Sequence, residues 1–145
     1  EGGDRFGPIG HGWTYSAHPI GAAAGVANLK LIESLGLVEN AGAVGPYLTA
    51  CLSEALAGHA HLGEVRGEGM LAAAEFMEDP GAHRFFDASR KVGPQLAAAL
   101  AEEGVIARAM PGGDILGYAP PLCLTRAEAD RIVEATAAAV RRVLG

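Results

Sequence analysis

Apolar residues fall at steps of three and four over several long stretches of this chain, and those steps set the first expectations. Ala41, Val44, Leu48, Cys51, Leu52 and Leu56 predict a helix from about Leu37 to Leu56, which Pro46 should bend or delay. A shorter set, Val92, Leu96, Ala99 and Leu100, predicts another helix, capped by Asp87 or Ser89 and stopped by Gly104. Near the end, Ala129, Ile132, Val133, Thr136, Ala137, Val140, Val143 and Leu144 line one face, while Arg126, Asp130, Arg131, Glu134, Arg141 and Arg142 line the other. Thr125 and Glu128 have the spacing of a capping box, so this amphipathic helix has the clearest start in the chain. Its character is that of a cover helix.

An earlier helix, Ile20 to Leu35, follows Pro19, which can sit in a first helical turn without losing a hydrogen bond. Its run Ala22-Ala23-Ala24-Gly25-Val26-Ala27 is small on every side and admits another backbone closely, so burial against a larger partner is expected, with Gly36 as the stop.

Between the helices the pattern changes. Leu62 to Met77, with Gly63, Gly67 and Gly69 interrupting apolar residues, predicts two strand stretches, the second from about Met70 to Glu75. Residues 78–86 read as a loop. Val105–Met110 and Ile115–Tyr118 predict short strands forming a hairpin around Pro111-Gly112-Gly113-Asp114. The whole predicts an α+β, two-layer fold: helices on one side of a small, mostly antiparallel sheet, with the Ile20–Leu35 helix leading in. The segment Val44–Glu54 matches Val92–Glu102 at most positions, sharing Val-Gly-Pro at its start. The similarity fades beyond the helix, and is read as shared helix chemistry rather than a repeat.

Composition narrows the possible partners. With 145 residues, 50% hydrophobic and 19% charged, the chain is about one domain's worth and can bury a core. A net charge of −6 argues against nucleic acid or an anionic membrane surface, both of which need a basic face. Two cysteines are too few for a disulfide framework, and no run of about 18 apolar residues is present, so a cytoplasmic location is expected. The opening Glu-Gly-Gly-Asp-Arg starts no element, and suggests a piece of something longer.

Candidate chemistry begins in the polar and aromatic segment His11-Gly12-Trp13-Thr14-Tyr15-Ser16-Ala17-His18-Pro19, where loops usually carry function. His11 and His18, and His59 and His61, lack the cysteine or acidic neighbours of a metal site, so none is expected. Ser16 lies in no nucleophile elbow and neither cysteine in a catalytic signature. The glycines of Gly63-Glu64-Val65-Arg66-Gly67-Glu68-Gly69 are followed by no Gly-Lys-Ser/Thr, and read as bulges and close backbone approach in a twisted sheet. Arg108 interrupts the apolar run Val105–Met110 beside a glycine-rich turn. A guanidinium there suits a planar carboxylate, the alternative being a solvated edge-strand arginine. Arg66 faces the same choice, with a structural ion pair favoured.

Three blocks in order carry a resemblance: Gly10–Pro19, then Gly63–Met70, then Ala107-Arg108 with Gly113-Asp114-Ile115 and Ala119-Pro120-Pro121-Leu122. Together they resemble the C-terminal portion of class III aminotransferases, in particular the ω-transaminases, which depend on pyridoxal 5'-phosphate. The resemblance implies residues 1–36 as the cofactor-phosphate loop and interdomain helix, and 37–145 as the C-terminal small domain of a fold-type I enzyme. It also implies a homodimer with shared active sites and small amine or keto-acid substrates. By the same resemblance Thr14 bonds the cofactor phosphate, Trp13 lines that pocket and the substrate site, and Arg108 grips a substrate carboxylate, swinging away for uncharged amines.

The family's catalytic lysine and its pyridine-pairing aspartate are expected outside this segment, because Lys30 and Lys91, the only lysines, sit in no matching motif. No residue of the chain is therefore assigned a catalytic role, and the chain alone is expected not to transaminate. Ala17 stands where the motif most often has glycine, a mild change, and Pro111 is expected to lengthen the turn after Arg108. Two other readings stay open: an aminomutase or decarboxylase of the same superfamily, and a non-catalytic interaction module.

Overall fold

A computed structural model describes Arg5, Gly7 and residues 12–145, which form two compact units divided between Leu35 and Gly36. The first contains helix α1, Pro19–Ser34. Pro19 occupies its first turn as the sequence predicts, and no residue of the helix is buried. Ile20, Leu29 and Leu31 are exposed, so the small-residue helix presents apolar surface along its length.

The second unit is the α+β layer structure that the pattern predicts. Its elements are α2 (Leu37–Leu56), β1 (Leu62–Glu68), β2 (Leu71–Phe76), a 3-10 turn (Ala88–Arg90), α3 (Val92–Glu102), β3 (Arg108–Ala109), β4 (Asp114–Tyr118) and α4 (Arg126–Leu144). The strands pair in the order β1-β2-β4-β3, every pairing antiparallel. Helices α2 and α3 pack on the sheet and α4 packs on both of them. Strand alternation explains the arrangement: Ala72, Ala74 and Phe76 of β2 and Leu116 and Tyr118 of β4 turn inward and are buried. They meet Leu48 and Leu52 of α2, Leu96 and Leu100 of α3 and Val140 of α4 in one core. The opposite face of the sheet has no helix of this unit on it.

Several boundaries differ from the expectation, each for a local reason. Helix α2 starts at Leu37 and runs through Pro46, so the proline does not delay it. Asp87 caps the 3-10 turn, accepting from the Ser89 backbone N–H at 2.8 Å, and α3 begins only after Lys91, whose φ of 48° breaks the chain direction. The strand expected over Val105–Met110 is reduced to Arg108–Ala109. Opposite its missing part the partner strand runs out into Ala119-Pro120-Pro121, and prolines cannot donate to a ladder. Strand β2 lies one residue later than expected, because Met70 is used in the turn beside Gly69, φ 53°. The capping box at α4 is present in full: Glu128 N–H donates to Thr125 Oγ1 and Thr125 N–H to Glu128 Oε2.

The glycine run of β1 serves close approach. A side chain on Gly67 would stand 2.7 Å from the Leu71 carbonyl oxygen and collide with the Thr49 hydroxyl. Gly63 lies at the register irregularity between Leu62 and Glu64. The two Val-Gly-Pro helices use the same face: Val44, Gly45, Leu48 and Leu52 of α2 are buried, as are Val92, Gly93, Leu96 and Leu100 of α3.

Candidate functional site

The helix-free face of the sheet carries the second unit's candidate site. Register places Arg66 opposite Ala73, Ala73 opposite Gly117, and Gly117 opposite Arg108, so two arginines end one row whose middle is the two smallest side chains. Above this floor lies a cleft of about 520 Å³ lined by Arg66, Leu71, Ala73, Arg108, Met110 and Ile115 among others. Gly117 keeps the floor open: a Cβ there would come within 3.1 Å of the Met110 sulfur, and that side chain would have to shift.

The two arginines are held differently. Arg66 Nη1 donates to Glu64 Oε2 at 2.9 Å and Glu75 Oε2 at 2.7 Å, which is the structural ion pair favoured from sequence. Arg108 is exposed and makes no ion pair or side-chain hydrogen bond among the described residues. Its guanidinium retains all five donors beside an apolar floor, the condition under which a planar carboxylate is bound through two parallel bonds.

Beneath Arg108 the hairpin turn is tightly built. Met110 N–H donates to the Ile115 carbonyl at 2.9 Å and Gly113 takes φ 75°, closing the chain over Pro111 to Asp114. Asp114 Oδ1 in turn accepts from the Gly93 backbone N–H at 2.7 Å. In the sequence Asp114 stands as the end of a glycine-rich turn. The signal that identifies it lies 21 residues away, in a helix start with no capping side chain of its own.

In the first unit, Trp13 and Thr14 lead into a turn that ends at α1. Trp13 N–H donates to Ser16 Oγ at 2.8 Å, Ser16 N–H to the Trp13 carbonyl at 2.9 Å, and His18 N–H to the Tyr15 carbonyl at 3.2 Å. Those bonds fix the turn while leaving the Thr14 hydroxyl exposed and without a hydrogen-bond partner among the described residues. Trp13 is 73% exposed, and α1 receives no side-chain cap. An exposed hydroxyl beside an uncapped helix start is a donor set that fits a phosphate group. Ala17 occupies φ 60°, a left-handed conformation that favours glycine, so the mild change at this position has a conformational cost.

Of the histidines, His11 lies outside the described residues. His18 is the N-cap residue of α1 and its ring lies edge-on to Tyr15, with centroids 6.2 Å apart. His61 Nδ1 lies 3.1 Å from both the Met77 and Glu78 carbonyls, so it carries the proton and donates to them. His59 Nδ1 accepts from the His61 backbone, and burial together with the neighbouring His61 pushes the His59 pKa down. Among the described residues no three His, Cys, Asp or Glu side chains gather as a metal would require.

Fold and site thus define a sheet-and-helix unit that exposes an arginine beside an apolar cleft, and, before α1, a turn whose donors fit a phosphate. The chain belongs to the class-III aminotransferase family, whose model matches residues 2–140. It is 57% identical over 143 residues to a diaminobutyrate–2-oxoglutarate transaminase of Halomonas elongata, covering 99% of this chain and 30% of that protein. Among solved structures it is similar to a transaminase from directed evolution by ancestral reconstruction, with TM-score 0.89, 57% identity, 98% of this chain covered and 31% of the other. An (S)-enantioselective omega-transaminase from Thermomicrobium roseum superimposes with TM-score 0.86 at 39% identity, covering 95% of this chain and 30% of the other. The chain spans about 30% of the length of these relatives.

Proposed function

We propose that the chain is the substrate-gripping part of a pyridoxal-phosphate-dependent aminotransferase, which moves an amino group between an amine or ω-amino acid and a keto acid such as pyruvate. The observation that carries this reading is Arg108, unpaired among the described residues at the end of a small-residue row over an apolar cleft, in a chain of this family. Arg108 binds and orients the carboxylate of an amino acid or keto acid, and turns outward when an uncharged amine occupies the site. Thr14 donates its hydroxyl to the cofactor phosphate, and Trp13 forms a wall shared by cofactor and substrate. When bound, pyridoxal phosphate supplies the electron sink that the reaction needs. The lysine that moves the proton comes from elsewhere in a longer protein, so the 145 residues alone do not transaminate. Two copies share their active sites in a cytoplasmic homodimer, a location in keeping with two free cysteines.

Kinetics of the full-length enzyme test the assignment of Arg108. In Arg108→Ala, kcat/KM for carboxylate-bearing substrates should fall about 100-fold or more, the loss of a bidentate charged pair, while plain amines change little. Equal losses for both substrate classes would overturn the reading.

A further inference from the structure

The start of α3 poses a problem that a residue of the hairpin solves. The first N–H groups of a helix need acceptors from outside it. The N-cap residue Lys91 sits in the left-handed region at φ 48° and supplies no side-chain cap, and Pro94 has no N–H to satisfy. The Gly93 N–H is therefore the inner donor that needs a partner, and it takes Asp114 Oδ1 at 2.7 Å. A carboxylate at this end also meets the positive pole of the helix. The helix start and the hairpin are in ordinary contact here: a Cβ on Gly93 would lie 3.4 Å from both the Asp114 Cα and Oδ1 and 3.8 Å from the Ala109 Cβ. One half-buried carboxylate thus ties the helix to the start of β4 in the β3–β4 hairpin.

The tied segment is the one that carries Arg108. Asp114, the first residue of β4, lies just inside the turn closed by the Met110–Ile115 hydrogen bond, and Arg108 lies two residues before Met110. Since Arg108 has no side-chain partner among the described residues, its direction depends on the backbone of this hairpin alone. The loop contains Gly112 and Gly113, which would otherwise leave it free to flex.

We infer that Asp114 is a positioning residue for Arg108: by holding the hairpin turn on the N-terminus of α3, it presets where the guanidinium meets a substrate carboxylate. This rests on the role proposed for Arg108. Motion between carboxylate and amine substrates is then confined to the arginine side chain, over a turn that stays still. Loss of the tether leaves the chemistry intact but makes the arginine's grip cost the ordering of the turn.

The test uses the full-length holoenzyme and compares pyruvate as acceptor and an amino acid as donor with an uncharged amine such as 1-phenylethylamine. In Asp114→Ala the KM for the carboxylate-bearing substrates should rise about tenfold, one hydrogen bond's worth of order, with kcat and the amine KM nearly unchanged. Asp114→Asn retains an acceptor oxygen and should recover most of the loss, and it also serves if the alanine variant fails to fold. In an Arg108→Ala background, Asp114→Asn or Asp114→Ala should change the carboxylate-to-amine ratio no further. A uniform loss for both substrate classes, or a ratio unchanged by Asp114→Ala where Arg108→Ala alters it, would overturn the positioning role while leaving the proposed function standing. A ratio unmoved by Arg108→Ala itself would overturn both.

Discussion

Tyr118 on β4 and Thr136 on α4 share a hydrogen bond of 3.0 Å inside the core, between residues that are among the most buried in the chain. The Thr136 hydroxyl donates its single hydrogen to the Ile132 carbonyl at 2.7 Å, so the Tyr118 hydroxyl is the donor between them. This polar chain joins the sheet to the covering helix through the apolar interior.

Alkaline stability follows from that burial. Tyrosine ordinarily ionises near 10, and burial pushes Tyr118 up to about 12. The unfolded chain releases this proton first, so the contribution is whole below pH 10 and is lost as pH rises towards 12, about 2–3 kcal/mol in all. Tyr47 is also raised to about 12, chiefly by its hydrogen bond to Asp130, so wild type must be compared with Tyr118→Phe. Denaturant melts from pH 9 to 12 should show a shallower decline in the Phe variant. Parallel declines would disprove the assignment.

The two Val-Gly-Pro helices allow a paired test. An added side chain on Gly45 would overlap the Gly69 carbonyl, backbone against backbone, whereas on Gly93 its nearest neighbours lie at 3.4 Å. Gly45→Ala should therefore cost about 3 kcal/mol or more. Gly93→Ala should be neutral or stabilising by up to about 1 kcal/mol, because alanine is the better helix former. Chemical denaturation of both variants decides it, and similar losses would contradict the packing described.

Replacing Ala17 by glycine should relax the turn that carries Thr14. The left-handed conformation at φ 60° costs alanine about 1 kcal/mol. Hydrogen exchange at the Ser16 and His18 amides, which close the turn, should slow about threefold in Ala17→Gly, after allowance for glycine's freer unfolded chain. Unchanged or faster exchange would show the turn to be unstrained.

Thr14→Ala, made in the full-length enzyme, should weaken pyridoxal phosphate retention by about 1–3 kcal/mol, the range of one charge-assisted hydrogen bond. Equilibrium dialysis measures it, and an unchanged affinity would remove Thr14 from the phosphate site.

Elements defined by local signals were legible in the sequence. The Thr125–Glu128 box announced α4, and periodicity announced α2. Asp114 is different in kind, because the N–H it satisfies lies 21 residues earlier and no local pattern announces that bond. The row Arg66–Ala73–Gly117–Arg108 belongs to the same class, since only strand register reveals it. Arg108 itself stood out because it interrupted an apolar run. Its lack of an ion pair among the described residues is a property of the fold, in which Glu64 and Glu75 are committed to Arg66.

The brevity of β3 protects as well as positions. At the margin of a sheet, unpaired N–H and C=O groups invite a strand from another molecule. Here that margin is two residues long, one of them a charged arginine, and the prolines following β4 deny it an extension. An incoming strand therefore finds almost nothing to zip onto. The same two-residue strand that exposes the Arg108 guanidinium also closes one side of the sheet to fibrous growth.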